Sequence, residues 1–506
     1  IYTILFIYIS KSIVTYLIQL WIIHFSLNIE AWLRSNLMES FLGRPYKYIL
    51  NENASNIVNI AGVYTNTFQT SVLMQGIKLL SESIVILMVM SFLAYNEPLS
   101  VMLVLIIFLI FFFIYNFFVS AAISKTGHVA NKFYGSIIKS INEAIFSIKE
   151  IKIFNRSLHF LDQINKNTKT VNKARFIQDA LKLIPKYAIE LLIILIVMSL
   201  AFIFINFYNY KNNDFIILLT LFAAAAFRLM PALTQSITSI NSLRSSKIVV
   251  SEIYESMIYL ENYKSQSYET NDHGNTNFKI TPFSTINLEN INFRYSMDSD
   301  YVLRNINLSI NKGDCIGIVG TSGSGKTTLI NLIMGLLEFD DGKITIDNTN
   351  FVNLSPLQFS ISYIPQNIYL LDDTIIRNIT FENNENKIDF DRLQNAIESA
   401  QLSKFINSQP KNIHSIIGEN GVKLSGGQRQ RIAIARALYF EREIIILDEA
   451  TSSLDNLTEY EIVECINNLR GDKTIIVVAH RESTLKYCDK VYLIQNGALI
   501  RNEKTN

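Results

Sequence analysis

The stretch 98–122 contains no charged residue and is built almost wholly from Val, Leu, Ile, Met and Phe. A helix needs about 20 apolar residues to cross about 30 Å of hydrocarbon, so this stretch reads as a membrane span. Segments at roughly 1–24, 71–95, 187–208 and 214–238 are also long and apolar, each carrying only one or two charged residues. Five such runs within one half of a chain exclude an ordinary soluble core. Residue 1 is Ile and already lies inside an apolar run. The expectation is therefore five visible spans, with a first span preceding them.

The charges are distributed to match. Only 18% of the chain is charged, below the soluble average of about 25%, and the deficit falls on the first half. Residues 123–186 hold twelve Lys or Arg against four acids, which marks a cytosolic segment. The links at 96–97 and 209–213 are short and carry one Lys, Lys211, and read as external. The connections 25–70 and 123–186 are long and helical in pattern. They are expected to extend the spans as cytosolic levers, with turns near Leu50–Ser55 and Ser147–Phe154. A net charge of +1 without a dense basic tract speaks against a nucleic-acid partner. The three cysteines, Cys315, Cys465 and Cys488, fall in the second half without a CxxC pair. They read as reduced, buried thiols.

Three domains are expected. Residues 1–249 form the membrane domain. Residues 250–285 are polar and rich in Asn, Ser and Thr, and read as a linker. Residues 286–506 form a soluble α/β domain.

The chemistry lies in that last domain. Residues 314–328 read DCIGIVGTSGSGKTT, an apolar strand entering a glycine-rich turn and then a helix. This is a phosphate-binding loop, GxxxxGK[ST]. Gly320, Thr321, Ser322, Gly323, Ser324 and Gly325 let successive backbone N–H groups face a phosphate chain, and the helix start at Thr327 and Thr328 adds positive potential. Lys326 supplies a point charge to the β- and γ-phosphates, and the Thr327 hydroxyl is a Mg²⁺ ligand. Residues 444–449 read IIILDE, a buried strand ending in two carboxylates. Open α/β sheets place their ligands at such an edge. Asp448 is expected to hold Mg²⁺, and Glu449 to polarise the attacking water.

Between these lies LSGGQRQR, Leu424 to Arg431. With this signature the domain resembles the ABC ATPase family. The resemblance implies further roles in chain order. Tyr295 would stack on the adenine of ATP. Gln366, in YIPQN, would reach Mg²⁺ and the lytic water. Ser453–Asp455 would form the D-loop, and His480, in VVAHR, would contact the γ-phosphate. Ser425, Gly426, Gly427 and Gln428 would cradle the γ-phosphate bound by a second chain, so that two copies clamp two ATP molecules head to tail. The intact set at Lys326, Gln366, Ser425, Glu449 and His480 favours a homodimer.

Spans first and ATPase second is the exporter arrangement, and IKEIKIF at 148–154 and IIGENG at 416–421 resemble exporter contact segments. The fold expected is an all-α transmembrane bundle of the ABC exporter type followed by an α/β P-loop ATPase. Within the exporters the chain looks similar to the PglK-type flippases, which turn over lipid-linked oligosaccharides. FRLMP at 227–231 and YIPQNIYL at 363–370 carry that likeness. It implies Lys11, Lys186 and Arg228 as basic contacts for a polyprenyl-diphosphate glycan, membrane lipid as surroundings, and a bacterial inner membrane with the ATPase in the cytosol. Two alternatives stand beside it: an exporter of peptide, drug or another lipid, and a non-transporting ABC regulator.

Overall fold

The computed structural model describes residues 2–96, 98–207, 212–270, 283–347, 349–351, 360–449, 456–479 and 482–502. The chain divides into two units, one of residues 1–44 and 51–272, the other of residues 45–50 and 273–506.

The first unit is helical. Helix α1 (Tyr2–Leu42) is followed along the chain by short α2 (Tyr46–Asn51), nearly all of which falls in the second unit, and then by α3 (Ala54–Val58) and α4 (Thr65–Thr67) of the first. The long helices α5 (Met74–Asn96), α6 (Pro98–Phe146), α8 (Ser157–Phe207), α9 (Asn212–Ser245) and α10 (Lys247–Thr270) complete it, with the short α7 (Ile148–Ile153) between α6 and α8. At 1.5 Å per residue, the 51 residues of α8 reach about 75 Å, more than twice the hydrocarbon thickness. The apolar spans thus continue as long polar levers, which their low charge at one end and basic excess at the other require. Among the described residues, Tyr2–Leu42 and Ala54–Tyr95 are long and apolar enough to cross a membrane, and the bent pair Leu105–Val119 and Ala121–Phe146 is a third if it forms one span. The expected spans 187–208 and 214–238 lie on α8 and α9, and the link between those helices, 208–211, lies outside the described residues.

α6 packs along α8, α5 along α9 and α1 along α10. Pro185 and Pro231 sit inside α8 and α9 without ending them, as membrane helices allow. Two π-turns, Asn59–Tyr64 and Phe68–Leu73, interrupt the stretch between α3 and α5. The carbonyl of Ala61, inside the first π-turn, accepts from Thr65 Oγ1 at 2.9 Å and from Arg34 Nε at 3.3 Å. Arg34 is itself held by Glu30 at 2.6 Å. No sequence pattern announced these turns.

The region expected to turn near 50–55 holds the break between α2 and α3 at residues 52–53, and that near 147–154 holds α7. Residues 45–50 belong to the second unit, where the Lys47 ammonium lies over the Phe293 ring. The stretch read as a linker from residue 250 is instead helical as far as Thr270. Its apolar side chains explain the difference: Val249 and Ile253 are buried with Leu37 and Phe41, and Ser40 donates to the Ser256 carbonyl at 2.7 Å. Residues 271–282 lie outside the described residues.

The second unit contains two sheets. Strands β1 (Thr285–Phe293), β2 (Leu303–Asn311), β4 (Asp341–Ile346) and β5 (Thr349–Phe351) form an antiparallel sheet of order β2-β1-β4-β5. Strands β3 (Cys315–Gly320), β6 (Ile361–Ile364), β7 (Ile444–Asp448), β8 (Thr474–Val478), β9 (Lys490–Gln495) and β10 (Ala498–Asn502) form the other, of order β10-β9-β3-β8-β7-β6. All its pairings are parallel except that of β10 with β9. Strands β7 and β8 are buried throughout, as parallel strands covered on both faces must be.

The helix Gly426–Tyr439 packs against β6, and Ser362 Oγ donates to the Ala437 carbonyl at 2.8 Å. Near its end, Arg436 donates to the Asn378 carbonyl at 2.8 Å, and its guanidinium lies 4.3 Å from the centre of the Phe381 ring. Burial lowers its pKa to about 10. Cys315, Cys465 and Cys488 are buried and, among the described residues, none is in a disulfide. Burial pushes the Cys465 thiol up to about 11, so it stays protonated and inert near neutral pH.

Candidate functional site

The site is built at the carboxyl ends of β3, β7 and β6. After β3 the chain turns through Thr321–Gly325 into α11 (Lys326–Ile333). Gly323 and Gly325 have φ of +79° and +107°, where a side chain would strain the backbone. A Cβ on Gly325 would also lie 2.9 Å from Leu303 Cδ2. The loop therefore needs its glycines to bring its N–H groups round to one point.

Lys326 is 6% exposed and arches back over the loop, donating to the carbonyls of Gly320 at 2.9 Å and Thr321 at 3.1 Å. Ser324 Oγ is buried and has no hydrogen-bond partner among the described residues. Such an orphan inside a nest of glycines and N–H groups is what a phosphate oxygen would satisfy. Thr327 is exposed and Thr328 buried at the first turn of α11. Tyr295, just beyond β1, bonds through its hydroxyl to Thr328 Oγ1 at 3.0 Å. Its ring packs edge-on against Phe293 and is 37% exposed, which leaves aromatic surface beside the loop.

β7 delivers Asp448 and Glu449. Glu449 has a φ of +49°, and its N–H donates to the Val478 carbonyl at 2.9 Å. A left-handed non-glycine residue at the end of a central strand is uncommon and sends the side chain across the sheet edge. There Glu449 Oε2 accepts from Gln366 Nε2 at 2.6 Å, and Oε1 lies 4.0 Å from Lys326 Nζ. Asp448 is 7% exposed and accepts from the Tyr363 hydroxyl at 3.1 Å. Burial holds the Asp448 carboxyl above its usual range, with the Tyr363 hydrogen bond and Lys326 pulling it back. Burial and the Asp448 charge together push the Tyr363 phenol up, so it remains a donor.

Lys326, Gln366, Asp448 and Glu449, expected from sequence, are thus brought together. The donors available to a cation are the Thr327 hydroxyl, the Asp448 carboxylate and the Gln366 amide. These are hard oxygen ligands with a single carboxylate, the set that suits Mg²⁺ completed by water and phosphate. Among the described residues there is no cluster of three or more His, Cys, Asp or Glu suited to a metal held by protein alone. Tyr363 was missed by sequence reasoning. Only the pairing of β6 with β7 brings it to Asp448. His480 and the Ser453–Asp455 segment lie outside the described residues.

The second cradle begins at Ser425, which caps the helix Gly426–Tyr439. Gln428 N–H donates to Ser425 Oγ at 3.3 Å, and Ser425 N–H donates to Gln428 Oε1 at 2.9 Å. This reciprocal capping box fixes Gly426 and Gly427 in the first helical turn. Ser425, Gly427 and Gln428 open on a cavity of about 550 Å³ that Lys404 and Arg431 also line.

In the first unit, the three expected basic contacts stand on three helices, Lys11 on α1, Lys186 on α8 and Arg228 on α9. The Lys11 ammonium lies over the Tyr8 ring and the Lys186 ammonium over Tyr187. Arg228 lines a cavity of about 330 Å³ between α5 and α9, whose other walls are apolar, among them Met88, Phe92 and Leu221.

Residues 1–229 match the family model of the ABC transporter transmembrane region, and residues 303–452 match that of the ABC transporter domain. The two stretches together cover most of the chain, and the chain belongs to the ABC transporter family, with the membrane domain and the ABC ATPase domain in one polypeptide. The ATP-dependent lipid A-core flippase of Ralstonia nicotianae is 39% identical over 197 residues, 38% of this chain and 33% of that protein. That of Pectobacterium atrosepticum is 41% identical over 196 residues, 38% of this chain and 34% of that protein. The chain spans about a third of the length of these curated relatives. The solved structure of a bacterial Atm1-family ABC exporter with ATP bound superposes with a TM-score of 0.75 at 20% identity, covering 94% of this chain and 82% of that one. At that identity the likeness shows the shared exporter fold.

Proposed function

We propose that the chain is an exporter half-transporter that hydrolyses ATP to flip a lipid-linked oligosaccharide across a bacterial inner membrane, acting as a homodimer. The observation that carries this reading is the junction of Lys326, Gln366, Asp448 and Glu449 at one sheet edge, in a chain whose other half is membrane helices.

The residues take the following roles. The Gly320–Gly325 loop, Lys326 and Thr328 hold the phosphates, and Tyr295 packs on the adenine. Glu449, already hydrogen-bonded to Gln366, orients the lytic water and takes its proton. His480 is assigned to the γ-phosphate. Thr327, Asp448 and Gln366 would hold Mg²⁺, which would neutralise charge on the phosphates. Ser425, Gly426, Gly427 and Gln428, at a helix start facing an open cavity, meet the γ-phosphate of the nucleotide held by a second copy. Ile153 at the end of α7 and Phe154 just after it are 79% and 70% exposed. They offer apolar surface to the second copy's ATPase domain, through which nucleotide-driven closure would draw the levers together.

The cargo reading rests on two supports. The curated relatives named above are ATP-dependent lipid A-core flippases. Arg228 adds a guanidinium to an otherwise apolar wall, which suits an anionic amphiphile. Lys11 and Lys186 remain proposed contacts on other helices.

In proteoliposomes, ATP hydrolysis by the wild-type chain is expected to change severalfold when lipid-linked oligosaccharide is added. The neutral polyprenol carrier should leave the rate where it was. Hydrolysis indifferent to every diphosphate lipid tested would remove the cargo assignment and leave an exporter of another substrate.

A further inference from the structure

Tyr363 is placed by strand register. β6 pairs with β7 in parallel, with Tyr363 opposite Ile446 and Ile364 opposite Leu447. Side chains alternate along a strand, so Tyr363 shares a face with Ile446 and with Asp448, which lies roughly 6–7 Å further along. A phenol ring leaning along the strand spans that interval, and the Tyr363 hydroxyl meets Asp448 Oδ2 at 3.1 Å.

Core packing does not account for the tyrosine. Its neighbours Ser362 and Ile364 are buried, while Tyr363 is 37% exposed. The hydroxyl, which a phenylalanine would lack, is used on a carboxylate. Three residues on, Gln366 donates to Glu449. One strand and its following loop therefore bond both acids, Asp448 at the end of β7 and Glu449 beside it.

We propose that Tyr363 is a positioning residue for the divalent cation of the nucleotide site, fixing the Asp448 carboxylate through its phenol hydroxyl. This rests on the reading above that Asp448 holds the cation. Bonding one carboxylate oxygen leaves the other to face the metal and restricts rotation of the group. The partners of metal ligands act in this way, and their loss typically weakens metal affinity by 10–100-fold.

The test uses the full chain carrying Glu449→Gln, so that ATP persists, with Mn²⁺ as the probe read by electron paramagnetic resonance. Tyr363→Phe keeps the ring and its packing. It is expected to weaken Mn²⁺ binding in the presence of ATP by about tenfold, while ATP affinity measured in EDTA stays at the parent value. Asp448→Asn is expected to weaken Mn²⁺ at least as much, and adding Tyr363→Phe to it should have no further effect, because the acceptor is already altered. Three results would overturn the proposal: Mn²⁺ affinity within about twofold of the parent, an equal loss of ATP affinity in EDTA, or an additive loss in the double variant. If Asp448→Asn itself leaves Mn²⁺ binding intact, the underlying assignment of Asp448 fails, and this proposal with it.

Discussion

A Glu449→Gln chain is expected to bind ATP as the wild type does and to hydrolyse it about 10²–10⁴-fold more slowly, the usual contribution of a positioned general base. The substitution is nearly isosteric. The amide can still accept from Gln366, so the 2.6 Å contact at the sheet edge survives. The backbone at φ +49° is fixed by the N–H bond to Val478 and not by the side-chain charge. What disappears is the carboxylate that takes a proton from water. Steady-state phosphate release and equilibrium binding of a fluorescent ATP analogue measure the two quantities separately. A residual rate within about tenfold of wild type would place the base elsewhere.

Lys326→Ala is expected to fail at the earlier step. The Lys326 ammonium is buried at the mouth of the loop and is held by two carbonyls and, more loosely, by Glu449. Hydrogen bonds to charged groups are worth about 1.5–3 kcal/mol. Removing the ammonium should therefore weaken ATP binding by roughly 10–100-fold and lower hydrolysis at subsaturating ATP by at least that factor. The same fluorescent analogue reports it. Unchanged affinity in the alanine variant would mean that the loop backbone alone holds the phosphates. The two variants together divide the site into a part that binds and a part that reacts.

The parts of this molecule that were legible in its sequence are those encoded by contiguous residues. An uncharged run such as 98–122 can only be a buried or membrane helix. The loop Gly320–Thr328 carries its own turn chemistry, and strand β7 carries its two acids at its end. Residues joined only by tertiary pairing were not legible. Tyr363 and Asp448 meet through the register of two strands 85 positions apart. The π-turns at Asn59–Tyr64 and Phe68–Leu73 carry no Pro and depend in part on Arg34 from α1. The helix that continues to Thr270 through a polar stretch is held by Val249 and Ile253 against α1, a contact that the local composition conceals. The cargo is the least legible of all. Lys11, Lys186 and Arg228 share no motif and stand on three different helices.

The measurement that tests the account most directly is vectorial movement of a fluorescent lipid-linked oligosaccharide in proteoliposomes, wild type against Glu449→Gln, with ATP supplied only on the side that exposes the ATPase domain. The account predicts loss of the label from one leaflet that requires ATP, Mg²⁺ and an intact Glu449. Movement that proceeds equally without ATP, or in the Glu449→Gln chain, or no movement by a wild type that hydrolyses ATP normally, would contradict it.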